Sequence, residues 1–175
     1  MKTAIVVGHD QVEQGAFSPI LNMTEYKFNC LLADELCKDF DIYYRGTKRG
    51  YLSKMNALAK EIKNTGINYD FIVELHFNMY DGKANRRGHG AEAVIYPGNN
   101  ESRFLANTML QDLTLNFNVV NRGVKERYSG QRGWGFLSRM PANAIIWEPF
   151  FGDENEALEF KDVKKHAKLL RKHLL

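Results

Sequence analysis

The sequence predicts an α/β fold, a twisted and mainly parallel sheet flanked by helices, in one domain spanning residues 1–175. Three observations predict it. Short apolar runs alternate along the chain with longer amphipathic stretches, as strand–helix units require. The 175 residues match the size of one domain, and no repeat, low-complexity segment or Pro/Gly/Ser linker divides them. With 44% hydrophobic and 26% charged residues, the composition is globular and excludes disordered, collagen-like and coiled-coil chains.

The elements follow in order. Thr3 to Val7 is an apolar run that reads as a buried strand. A loop with Gly15, Ser18 and Pro19 leads to a helix from about Thr24 to Lys38. On that helix residues 25, 28, 32 and 36 share one face, made apolar by Phe28, Leu32 and Leu36. Asp41 to Arg45 is a strand, Leu52 to Asn64 a helix closed by Gly66, and Phe71 to Leu75 a third strand. Ala91 to Tyr96 is a fourth, ended by Pro97-Gly98, followed by a helix from about Glu101 to Phe117. Asn118 to Pro141 holds Gly123, Gly130, Gly133 and Gly135, too many glycines for a helix, and too much charge for a core strand. An irregular surface loop is expected there, then a strand over Ala144 to Trp147. Phe160, Val163, Ala167, Leu170 and Leu174 keep the 3-4-3-4 spacing of a last helix. Acids near its start and Lys168, Arg171 and Lys172 near its end complement its dipole. His166 and His173, among lysines, are expected on its surface.

A net charge of +3 does not argue for nucleic acid, although residues 121 to 140 hold five basic residues against one acid. No run approaches the ~20 apolar residues of a membrane span, and the first apolar run is short for a signal segment. The expectation is a soluble chain with no export signal, no membrane insertion and no nucleic-acid partner. Cys30 and Cys37 lie seven residues apart on one helix, about 10.5 Å along its axis, too far for a disulfide. Both are expected to be reduced, at or near the core.

Three apolar strands run into a group that can do chemistry: His9, His76 and Glu148. Spaced 67 and 72 residues apart, they can meet where strand carboxyl ends line one sheet edge. Glu25 opens the first helix on its apolar face. A first-turn glutamate can serve the helix as a cap, but capping does not require a core-facing position. A buried carboxylate needs a paired charge or a metal, and two histidines with one glutamate and an open fourth position form a catalytic zinc pattern.

At four anchors the chain resembles the zinc-dependent N-acetylmuramoyl-L-alanine amidases of the type-3 class, in their bacteriophage endolysin form. These are Ala4-Ile5-Val6-Val7-Gly8-His9, Thr24-Glu25-Tyr26, Val73-Glu74-Leu75-His76-Phe77-Asn78 and Ala144-Ile145-Ile146-Trp147-Glu148-Pro149-Phe150-Phe151. The resemblance implies a type-3 amidase-like fold and one Zn2+ on His9, Glu25 and His76. It further implies that Glu148 is the general acid and base, cleaving the amide between the lactyl group of N-acetylmuramic acid and L-alanine of the stem peptide. Asp10-Gln11 replaces the two glycines common in bacterial members, and the Pro149-Phe150-Phe151 ending also departs from them. Both differences favour a phage lysin. The expected protein is a monomer made in the bacterial cytoplasm, reaching peptidoglycan through a holin or acting from outside. The alternatives are another zinc peptidase of the stem peptide, or a wall-binding module without catalysis.

Other residues keep open readings. Glu74 shares the strand face of His76 and can orient it, touch substrate or form an ion pair. Asp10 can orient His9 or serve as a loop charge. His89 is expected to be solvated. The basic stretches Lys83 to Arg87 and Arg122 to Arg139 can grip the acidic stem peptide, face an anionic envelope or simply meet water. Trp134 can stack on a sugar or cover apolar surface.

Overall fold

The computed structural model describes residues 1–80 and 88–175; the stretch Lys83 to Arg87 lies outside the described residues. The chain order is β1 (Thr3–Val7), a short antiparallel pair of β2 (Phe17–Ser18) and β3 (Met23–Thr24), and α1 (Glu25–Leu36). There follow β4 (Asp41–Tyr44), α2 (Tyr51–Asn64), β5 (Phe71–Leu75), β6 (Ala91–Ile95) and α3 (Asn100–Asn116). β7 (Asn121–Glu126), the single turn α4 (Trp134–Leu137), β8 (Asn143–Glu148) and α5 (Val163–Leu174) complete it. Six strands form one sheet in the order β4-β1-β5-β8-β6-β7, parallel at every pairing except β6 against β8.

Helices on both faces explain why β1 and β5 are buried at every residue. Ile5, Val73 and Ile145 point into one core with Phe28 and Leu32 of α1, Met109 of α3 and Leu170 of α5. Their neighbours Val6, Ile72 and Ile146 point the other way, against Met55 and Leu58 of α2 and Phe136 of α4. Because the chain leaves β1 towards β4 on one side and returns to β5 on the other, the β1/β5 junction is the point where strand order reverses. There loops diverge and leave a crevice.

Four expectations are corrected. The segment from Asn118 to Pro141 is not all irregular, since β7 pairs with β6 at the sheet edge. A bulge between Ala91 and Ala93, with Gly123 at φ 79°, absorbs the misfit. An edge strand keeps its charged side chains half-exposed, which a core strand cannot. Phe160 precedes the last helix, in a 3-10 segment, Asn155–Phe160, where its ring stacks on Phe150 and Phe117; Asp162 then caps α5. Cys37 ends α1 exposed to water and Cys30 is half-buried, both as free thiols. His166 is buried, not superficial.

His166 lies beneath Trp147, whose indole N–H donates to His166 Nε2 at 3.0 Å. Burial pushes the ring down to about 3, so it stays a neutral acceptor. His173 is half-buried and meets Asp112 at 2.9 Å. Replacing His166 by Leu strands a buried indole donor and should cost about 1–3 kcal/mol in chemical denaturation. An unchanged midpoint would show that this hydrogen bond adds nothing.

Candidate active site

The carboxyl edge of β1, β5 and β8 brings His9, His76 and Glu148 together, and the start of α1 adds Glu25. Glu25 is 1% exposed. Its Oε1 lies 2.7 Å from His76 Nδ1 and its Oε2 lies 3.0 Å from His9 Nε2. It also accepts from the backbone N–H groups of Ala16 and Phe77. Capping of α1 falls instead to Thr24, which accepts from the Lys27 N–H, so Glu25 is not the cap. Burial alone would raise the Glu25 carboxyl, but His76 and then His9 hold it well below the ordinary carboxylate range.

Close backbone approach makes this convergence possible. A Cβ on Gly8 would sit 2.2 Å from the Leu75 carbonyl and 2.7 Å from the His76 ring. His9 adopts φ 66°, a left-handed conformation uncommon for a residue with a side chain. The following loop holds it there. Asp10 accepts from the N–H groups of Val12 and Glu13 and is bound at 2.5 Å by Lys54 of α2, which also binds Glu13. Asp10 therefore acts as a buried loop anchor, with no contact to the His9 ring among its hydrogen bonds.

His76 meets Glu25 through Nδ1, while its Nε2 lies 3.2 Å from Arg45 Nη2 and 3.2 Å from Glu74 Oε2, an oxygen without a well-formed hydrogen bond. Burial would lower its ring, yet Glu25 and Glu74 push it up to about 9. Glu74 is fully buried, and its charge is matched by Arg45 at 2.6 Å. Thus Glu74 both orients His76 and forms an ion pair. Arg45 was legible in principle, as the charged residue closing the strand read over Asp41 to Arg45, but a surface end for that strand reads equally well from sequence.

Glu148 stands apart from the cluster. It is 8% exposed and, with His9, His76, Glu74 and Arg45, lines a cavity of about 420 Å³. Burial raises its carboxyl above the ordinary value; the His76 charge opposes this and the charge of Glu92 adds to it. Glu92 lies directly opposite Glu148 across the β6/β8 ladder and is paired with Arg122 at 2.8 Å. A lone acid inside the apolar run Ala91 to Ile95 was the missed signal, and it gains meaning only from the antiparallel pairing. Trp134 stacks on Tyr96 at 5.0 Å, covering that ring, while His89 is exposed. Arg127 and Arg132 also line the cavity.

The cluster suits a metal. The donor atoms of His9, Glu25 and His76 lie within 4.8 Å of one another, and His9 Nε2 is buried without a well-formed hydrogen bond. Two imidazoles and a carboxylate are a donor set that Zn2+ accepts.

The fold and this edge cluster define an α/β protein with a two-histidine, one-carboxylate metal-type site at the carboxyl edge of its sheet. The family model described as N-acetylmuramoyl-L-alanine amidase, Amidase_3, matches residues 4–170, and the chain belongs to that family. Solved structures share the fold. The catalytic domain of the CD27L endolysin targeting Clostridia difficile has a TM-score of 0.76 at 23% identity, over 99% of this chain and 96% of that one. An N-acetylmuramoyl-L-alanine amidase from Clostridium difficile 630 gives 0.70 at 21% identity, over 96% and 92%. Cwp6 from Clostridium difficile gives 0.71 at 22% identity over 96% of this chain, which spans only 27% of the Cwp6 chain. No curated protein matches the sequence.

Proposed function

We propose that this protein is a zinc-dependent N-acetylmuramoyl-L-alanine amidase of the phage-lysin type, cleaving the amide between the muramoyl lactyl group and L-alanine of peptidoglycan. The observation that carries the reading is the single cavity edge where His9, Glu25 and His76 face one another and Glu148 stands free beside them. Zn2+ would be held by His9, Glu25 and His76, and when bound it supplies a Lewis acid for a carbonyl and an acidified water. Glu148 takes the proton of the attacking water and returns one to the alanine nitrogen as the C–N bond breaks, leaving a lactyl carboxylate and a free amine. A carboxyl raised by burial suits both duties, because it holds and releases a proton closer to neutrality. Glu74 and Arg45 keep the His76 ring in place throughout.

The phage-lysin assignment draws on Asp10-Gln11 and Pro149-Phe150-Phe151 and on the shared fold of an endolysin catalytic domain. On this reading the chain works as a monomer on the cell wall after release through a holin. Digests of purified walls, analysed by mass, test the chemistry. Intact glycan strands and complete stem peptides starting at L-alanine are expected; peptides cut internally would mark a stem-peptide peptidase instead.

A further inference from the structure

Three charged groups on the cavity wall, Arg127, Arg132 and Glu148, take part in no ion pair among the described residues. Glu74 is matched by Arg45 and Glu92 by Arg122, and Glu13 shares Lys54 with Asp10. Elsewhere Arg103 binds Glu126 at 2.5 Å and Arg171 binds Asp39 at 2.7 Å, while Arg139 turns to Asn56 on α2. Arg127 and Arg132, both on the cavity wall, have no acidic partner among the described residues. The nearest acid in sequence to Arg127 is already used. Glu126 accepts from Arg103 and the Gly98 N–H through Oε1 and from the Tyr128 hydroxyl through Oε2, leaving Arg127 one long contact of 3.4 Å to the Glu126 carbonyl. Arg132 has no hydrogen bond among the described residues, and its charge is felt by Glu148 and Tyr51 in the same cavity. Gly130 and Gly133, beside it, line the same wall.

Guanidinium groups without an acidic partner on a cavity wall favour an anion, and their forked donors match a carboxylate with two parallel hydrogen bonds. Resting on the amidase reading above, we propose that Arg127 and Arg132 form a carboxylate subsite that binds the free α-carboxylate of the stem-peptide residue after L-alanine, so that the protein discriminates against stems carrying a carboxamide there. A carboxamide keeps one neutral acceptor and places an N–H against the guanidinium, losing both the charge and the second bond. The site thus selects D-glutamate over D-isoglutamine at the second stem position.

The test compares muramoyl-L-alanyl-D-glutamate with muramoyl-L-alanyl-D-isoglutamine on the zinc-loaded protein. The acid should be cleaved with kcat/KM about tenfold or more above the amide, and the ratio should fall towards one in Arg127→Gln/Arg132→Gln, whose melting temperature and zinc content report on folding. Calorimetric binding of L-alanyl-D-glutamate and L-alanyl-D-isoglutamine to the zinc-loaded Glu148→Gln variant gives a second readout independent of turnover. Cleavage of both substrates with a ratio near one, or a ratio the double variant keeps, overturns the subsite and leaves the amidase reading standing. Cleavage of neither, with the acidic dipeptide still bound at least tenfold more tightly, overturns the amidase reading and supports the subsite. Neither cleavage nor preferential binding overturns both.

Discussion

Glu148→Gln should bind zinc as the parent does and lose at least ~100-fold in turnover, the usual cost of deleting a general acid or base. The substitution is nearly isosteric and removes the carboxylate's charge together with its capacity to take a proton. Glu148 ends a central strand, lines the cavity and belongs to no part of the His9–Glu25–His76 cluster, so its loss leaves the donor set whole. Metal analysis of the variant beside its rate on purified walls separates the two roles. A variant that turns over normally removes Glu148 from the chemistry and directs attention to Glu92, the carboxylate facing it across the ladder. A variant that loses its metal as well would mean that Glu148 supports the cluster rather than the reaction.

Chelation should reduce wall lysis to background, and Zn2+ at one equivalent per chain should restore it. Arg45 is committed to Glu74 and the ring of His76 to Glu25, so neither is free to take over the role of the metal. In the metal-free protein those carboxylates keep His76 protonated up to about pH 9, so zinc has to displace that proton. Zinc affinity should accordingly weaken as the pH is lowered below about 9, with protons released on binding, which calorimetry in buffers of different ionisation enthalpy reads directly. Occupancy should also raise the melting temperature, since ligand at 100 times its dissociation constant stabilises by about 2.7 kcal/mol. Activity that survives complete removal of metal would sink the assignment.

Much of the site was legible because it lies where strong local patterns end. His9, His76 and Glu148 each follow or close an apolar run, and Glu25 falls on the Phe28–Leu32–Leu36 face by helical period alone. His166 was misread although the same period places it beside Val163, Ala167 and Leu170. Its polarity and its lysine neighbours argued for water, whereas the Trp147 indole on a distant strand supplies the donor that keeps it inside. β7 was missed because its charges are tolerated only at a sheet edge, and no local property of Asn121–Glu126 says that the edge is there.

The sequence by itself determined the α/β class, the buried strands and helices, and the four residues His9, Glu25, His76 and Glu148, since burial patterns are written at periods of two and 3.6 within a few residues. Only the tertiary structure decided which partners those residues meet. The grip of Glu25 on both histidines, the Arg45–Glu74 support and the Glu92–Glu148 opposition all join groups far apart in the chain. Strand order, the antiparallel insertion of β6 and the left-handed turn at His9 set those distances, and each is fixed by packing across the whole sheet rather than by any local run of residues.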